Sequence, residues 1–230
     1  MDDSGNYRHE LKYQISQADY LAIRQRVRTV MKRDPHADAN GIYGIQSLYF
    51  DNYRDKALLE KINGLPLREK FRIRYYNEDL SYITLEKKIK HRNLCKKLDA
   101  PLTKEEYRRI LLEPGPWMAE HKESLVRELY YKMQVQQLRP RVFVSYQREP
   151  FIYEPGNVRI TFDFDIRSSL FQREFLKYPV SDISATEKEA GMVMEVKYDA
   201  FLPEIIQSLL QAENLRQTAF SKYAVCRRFG

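Results

Sequence analysis

The segment KFRIRYY (Lys70 to Tyr76) reads as a β-strand, with aromatic and β-branched residues and neither Gly nor Pro. Successive side chains on a strand point to opposite faces, so Arg72 and Arg74 share one face and Phe71, Ile73 and Tyr75 the other. The pattern recurs along the chain. In RHELKY, Arg8, Glu10 and Lys12 oppose His9, Leu11 and Tyr13; in TLEKKIK, Glu86, Lys88 and Lys90 oppose Leu85, Lys87 and Ile89. In VRITFDFDI, Arg159, Thr161, Asp163 and Asp165 oppose Ile160, Phe162 and Phe164; in MEVKYD, Glu195 and Lys197 oppose Met194, Val196 and Tyr198. Arg148 of VFVSYQREP is in phase with Val144 and Tyr146. Such strands fold either as a sheet with one wet face or as a closed sheet whose charged faces look at one another.

Strand patterns fall at 6–14, 43–50, 67–76, 81–90, 93–98, 139–153, 157–166 and 191–198. Helical patterns lie between them. SQADYLAIRQRVRTVM has Ser16 as N-cap with Asp19 at the third helical position, and TKEEYRRILL has a capping box, Thr103 with Glu106. HKESLVRELYYKMQVQQL carries the stripe Leu125, Leu129, Met133, FLPEIIQSLLQAENL has Pro203 in its first turn, and DKALLEKING ends at Gly64. No linker or repeat divides the 230 residues, so 1–230 is expected to be a single domain. About eight strands with inserted helices give an α+β fold with a mostly antiparallel sheet, a number that can close into a barrel. If the helices cover the apolar faces, the charged faces line a lumen. Packed cations cannot sit there dry, so the lumen holds water, anions and metal.

The net charge of +7 at pH 7 points to an anionic partner. Eight glycines, none in a phosphate-binding loop, leave side chains to hold any nucleotide, and Arg in two of the most regular strands suits two-point contacts with phosphate. Cys95, Cys226 and four histidines have neither zinc spacing nor a disulfide framework. No run has the length of a membrane helix and MDDSGNYRHE does not resemble a signal peptide, so a soluble, cytoplasmic protein is expected. Aromatics beside basic residues would suit stacking on nucleic acid, but Tyr75, Tyr130 and Tyr131 read as core packing, and no nucleic acid partner is expected. Asp163 and Asp165 read either as further metal ligands or as partners of inward arginines.

The ordered elements ELKY, SLYFDN, KFRIRYY, LEKKIK, SYQREPF, VRITFD, MEVKYDAFLPEII and FSKYAVCR resemble the VTC domain, the polyphosphate polymerase domain of the vacuolar transporter chaperone family within the triphosphate tunnel metalloenzyme (CYTH-like) superfamily. The resemblance implies a closed eight-stranded antiparallel β-barrel with surrounding helices, in which the γ-phosphate of ATP passes to polyphosphate with Mn2+ or Mg2+ as cofactor. Carried over residue by residue, it implies tunnel cations at Lys12, Arg72, Arg74, Lys88, Arg148, Arg159 and Lys222, with a further one at Lys97 or its rival Lys96, and a metal ligand at Glu195. ATP, triphosphate and polyphosphate are the implied ligands. Arg8 stands where the superfamily's hydrolases have the first glutamate of E-x-E-x-K, which argues against a second metal at that end. Neither an appended phosphate-sensing domain nor a membrane segment is expected in this chain, so it is not expected to insert in a membrane itself, and a membrane protein is a possible partner. A metal-dependent triphosphatase and a non-catalytic polyphosphate-binding module share the same cations and remain alternatives.

Overall fold

The computed structural model describes residues 7–92, 94–170, 183–184, 191–211 and 215–227. Its strands are β1 (Arg8–Ile15), β2 (Lys32–Arg33), β3 (Tyr43–Asp51), β4 (Leu67–Tyr76), β5 (Asp79–His91), β6 (Leu94–Leu102), β7 (Arg139–Tyr153), β8 (Val158–Leu170), β9 (Ile183–Ser184) and β10 (Met192–Tyr198). The helices are α1 (Gln17–Val30), α2 (Lys56–Ile62), α3 (Lys104–Leu112), α4 (Ser124–Val135), α5 (Glu204–Leu209) and α6 (Lys222–Cys226). Neighbours run in the order β7-β3-β4-β5-β6-β1-β10-β8, and β8 pairs back with β7. Every pairing is antiparallel, so eight strands close a ring, as expected; the two-residue β2 and β9 are additions on β7 and β8 that the alternation did not reveal. The ring is thinnest between β1 and β6, where only Arg8↔Cys95 and His9↔Leu94 pair. Beyond that point β1 is flanked instead by the Gln217–Thr218 segment, which bridges Tyr13 and donates Thr218 N–H to the Lys12 carbonyl at 2.8 Å.

Helices take the apolar faces. Phe71, Ile73, Leu85 and Leu48 pack against Ile110 of α3 and Leu125, Leu129 and Met133 of α4. Phe162, Met194, Val196 and Phe151 pack against Ile23 and Val27 of α1 and Ile206 of α5. The predicted capping box of Thr103 with Glu106 is present, and Ser16 caps α1 as expected, with Asp19 completing a second box. Pro203 is the N-cap residue of α5, and Gly64 sits at φ 68° just past the end of α2, a left-handed conformation that suits glycine. Two expectations fail. Tyr131 is 61% exposed, because the buried stripe of α4 puts it on the opposite side. Asp165 does not share the inward face with Asp163: it adopts φ 50°, the β7–β8 register shifts beside it, and it turns outward to Arg167 at 3.0 Å. This bulge reverses the alternation, so Ile166 points inward and is fully buried.

The SLYFDN stretch has a structural task. Asp55 precedes α2 in a left-handed conformation without capping it, and the residues at the end of β3 do so instead. Asp51 accepts from Asn52 N–H and Ala57 N–H at 2.9 Å, accepts from Leu58 N–H at 3.2 Å, and receives the Tyr223 hydroxyl of α6. Asn52 accepts from Lys56 N–H at 3.0 Å. Asp51→Ala strips buried donors on two helices of their acceptor and is expected to cost about 2–4 kcal/mol. Chemical denaturation measures it; a loss below about 1 kcal/mol would show that water replaces the carboxylate.

Candidate functional site

One half of the ring's interior is apolar. Ile45 and Tyr49 of β3, Val142, Val144 and Tyr146 of β7, Ile166 of β8 and Val193 of β10 pack on Tyr223 and Cys226 of α6. The other half is charged and bounds a cavity of about 1090 Å³. β4 contributes Lys70, Arg72 and Arg74, β5 Lys88, β1 Glu10 and Lys12, β10 Glu195 and Lys197, β7 Tyr146 and Arg148, and α6 Lys222. Lysines and arginines far outnumber carboxylates; the carboxylates that line it are Glu10 and Glu195.

The charges form three linked clusters. Arg72 donates to Glu86 at 2.6 Å and to the Tyr49 hydroxyl at 2.9 Å, while Arg74 lies 3.8 Å from Glu86 and donates to the Tyr146 hydroxyl at 3.1 Å. Arg148 grips Asp163 with two bonds of 2.6 and 2.8 Å, and Lys222 donates to the same carboxylate at 2.5 Å. Glu10 accepts from Lys88 at 2.6 Å and lies 3.4 Å from Lys12. Glu195 lies 3.1 Å from Lys197 and 3.7 Å from Arg148, and Lys197 also reaches Glu10 at 3.8 Å.

Burial raises a carboxyl's pKa, and here the surrounding cations overcome it. Arg72 and Arg74 hold Glu86 well below its ordinary range, Arg148 and Lys222 bring Asp163 down to about 2, and Lys197, Lys12 and Lys88 hold Glu195 far down. Glu10 is lowered despite its burial and the nearby Glu195 charge, because Lys12, Lys88 and Lys197 surround it. Burial would also raise the Tyr146 phenol, but Arg148, Arg74 and Lys222 pull it below normal. The carboxylates are therefore ionised at neutral pH and the cations remain in excess.

Of the residues named from sequence, Lys12, Arg72, Arg74, Lys88, Arg148, Lys222 and Glu195 come together around this cavity. Arg159 and Lys97 do not line it. Arg159 stands in the inward phase opposite Lys197, but its guanidinium turns to Asp34 at 2.6 Å and the Tyr43 hydroxyl at 2.7 Å. Lys97 pairs across the strands with Lys88, which places it in the inward phase and Lys96 in the outward one; its side chain is 52% exposed, 3.2 Å from Asp99 and 3.5 Å from Glu86. Arg8 pairs with Asp199 at 2.7 Å outside the cavity lining. Asp163 is an ion-pair partner of Arg148 and Lys222, the second of its two readings. Sequence reasoning missed Lys70 and Lys197 as lining residues, although each lies two positions from a named one and in the same phase. It also missed the outer group Lys61, Arg68, Lys90 and Arg92, where the cavity continues past α2 and the β5 end.

Among the described residues no group of three or more His, Cys, Asp and Glu side chains is arranged to hold a metal, and no helix is long and apolar enough to cross a membrane. The donor set still suits a hard divalent cation. Glu195 and Glu10 are ionised neighbours, and Mg2+ or Mn2+ commonly takes one or two carboxylates and completes its shell with water and phosphate oxygens.

Comparison with solved structures gives the PH1819 protein of Pyrococcus horikoshii OT3 at a TM-score of 0.50 and 14% identity, covering 97% of this chain and 100% of that one, which shows a shared fold. The PH1012 protein of the same organism matches at 0.43 and 13% over 91% of this chain and 94% of that chain. A Mimivirus capping enzyme triphosphatase matches at 0.42 and 11% over 89% and 87%. Comparison with curated protein sequences gives no match. The profile of the VTC domain family matches residues 7–229, nearly the whole chain, and so the protein whose strands close around this cationic cavity belongs to the VTC domain family.

Proposed function

We propose that this chain is a polyphosphate polymerase that transfers the γ-phosphoryl group of ATP to a polyphosphate chain inside the tunnel. The observation that carries the reading is the convergence of Lys12, Arg72, Arg74, Lys88, Arg148 and Lys222 on one cavity, beside Glu195, in a VTC domain. Phosphoryl transfer spreads negative charge over the phosphoryl oxygens, and fixed cations stabilise it without a protein nucleophile. The guanidinium groups are held in place before substrate arrives, Arg72 by Glu86 and Tyr49, and Arg148 by Asp163. They cost little reorganisation at the moment of reaction. Arg72, Arg74 and Arg148 bind and orient phosphate oxygens, and Lys12, Lys88 and Lys222 add point charges around them. Glu195, with Glu10 beside it, would hold Mn2+ or Mg2+, which when bound neutralises and aligns phosphate oxygens.

The outer group favours a polymer over a lone triphosphate. Lys61, Arg68, Lys90 and Arg92 extend the cavity lining, and among the described residues none has a carboxylate within 4.0 Å. Arg68 is anchored to carbonyls at the end of α2 at 3.4 and 3.5 Å. Burial and the nearby Arg68 and Lys90 lower the Lys61 pKa, a sign of like charges crowded together. Three phosphates need no such extension, whereas a chain leaving the deep cluster does. Incubation with ATP and Mn2+, with polymer and free phosphate measured separately, tests the reading: polymer is expected, and phosphate alone would make the protein a triphosphatase. Lys61→Gln combined with Lys90→Gln is expected to shorten the polymer on a gel while initial ATP consumption stays near wild type. Unchanged length would remove the outer group from the polymer's path.

A further inference from the structure

We propose that Lys70 is a further phosphate-binding residue of the tunnel, and that it takes up a proton as the substrate's phosphate reaches it. The proposal deepens the anion-tunnel reading and rests on it. Each other deep cation, Lys12, Arg72, Arg74, Lys88, Arg148, Lys197 and Lys222, has a carboxylate of the protein within 4.0 Å. Lys70 lines the same cavity, and among the described residues it has none. It is in phase with Arg72 and Arg74 on β4 and directly opposite Lys88 of β5. Its Nζ lies 3.4 Å from the Ser221 hydroxyl and 4.8 Å from the centre of the Tyr223 ring. These neutral groups accept an ammonium weakly and do not neutralise it.

The charged groups around Lys70 come from every neighbouring element. Arg68 shares its strand, Lys88 faces it from β5, Lys12 acts from β1 and Lys61 from α2, while Arg72, Lys90, Glu10 and Lys222 line the same cavity. Glu10 is already engaged by Lys88 and Lys12. Burial first, and then the like charges of Lys12, Lys88, Arg68 and Lys61, bring the Lys70 pKa down to about 7. At and above neutral pH an appreciable share of Lys70 is therefore uncharged in the free protein. A phosphate oxyanion beside Nζ favours the ammonium form, so the amine gains one proton from solvent and donates to the phosphate.

The test is calorimetric binding of inorganic triphosphate at pH 7.5, repeated in buffers of different ionisation enthalpy, to count the protons exchanged. Triphosphate itself titrates near this pH, so the readout is the difference between variants. Wild type is expected to take up more protons per triphosphate than Lys70→Arg, whose guanidinium is charged throughout. Lys70→Arg should bind about as tightly as wild type, with a flatter dependence of affinity on pH between 6.5 and 8.5. Lys70→Gln should bind roughly 10- to 100-fold more weakly, as loss of a charge-assisted bond to phosphate predicts. Equal proton counts in wild type and Lys70→Arg, or unchanged affinity in Lys70→Gln, would overturn the proposal and leave the tunnel reading intact. Failure of the wild-type protein to bind triphosphate would overturn both.

Discussion

Glu195→Gln is expected to lower metal-dependent ATP turnover by about 10²–10³-fold while triphosphate affinity holds or rises. The carboxylate is 4% exposed and lies 3.1 Å from Lys197 and 3.7 Å from Arg148. Glutamine keeps the shape and removes the negative charge, so a metal held there would lose its principal protein ligand. The same change frees Lys197 and Lys12 from part of their compensation, and the cavity becomes more positive toward a ground-state polyanion. Opposite effects on binding and turnover are what separate a group that serves the transition state from one that binds substrate. ATP consumption at saturating Mn2+ and triphosphate titration check the two halves. Turnover near wild type would show that Glu195 does not hold the metal.

Arg148→Ala is expected to damage binding, turnover and stability together. Its guanidinium makes both strong bonds to Asp163, which is fully buried. Removing one partner of a buried pair costs roughly 3–5 kcal/mol, toward the lower end here because Lys222 still reaches Asp163. The effect has a sign in pH. Asp163 titrates at about 2 in the fold, below its value in an unfolded chain, so the stability it contributes is present above about pH 4 and lost as pH falls toward 2. Without Arg148 the folded-state pKa rises toward the unfolded one and that contribution shrinks. The stability gap between variant and wild type should therefore be widest near neutral pH and close as pH approaches 2. A gap independent of pH would mean that Asp163 does not carry the effect.

Most of the barrel is legible in the sequence because alternation on a strand is a local rule: a residue's phase fixes its face whatever the rest of the chain does. Eight strands follow from it, and so does the inward placement of Arg72, Arg74, Lys12, Lys88 and Arg148. The rule stops at Cβ. Arg159 has the right phase, but a long flexible side chain goes to its nearest carboxylate, and Asp34 comes from a distant turn before β3. Lys97 has the right phase on the strand that ends at the thin seam, where its head reaches water. The bulge at Asp165 resets the phase with no Gly or Pro to announce it. Lys70 escaped for a different reason: its position is readable, but its want of a carboxylate depends on which anions four other strands bring near. The capping role of Asp51 and Asn52 needs the whole β3–α2 turn, since Asp55, directly before α2, makes no side-chain cap bond.

The seam between β1 and β6 has a consequence for how the protein comes into being during synthesis. β1 leaves the ribosome well before its long partner β10, from Met192 to Tyr198, and before Gln217 and Thr218, which shelter its other edge. Until those arrive, β1 is an unpaired edge carrying Leu11 and Tyr13, open to strands of other nascent chains. The hairpins from β3 to β6 can form early, because their contacts are close in sequence, but closure joins β1 to β10, far apart in sequence, and is entropically late. The cations of β4 and β5 thus exist as an open charged sheet well before Lys222 and Glu195 join them. A polyanion that met this half-built sheet would bind it before the ring had closed, and so would act on the order in which the tunnel is assembled.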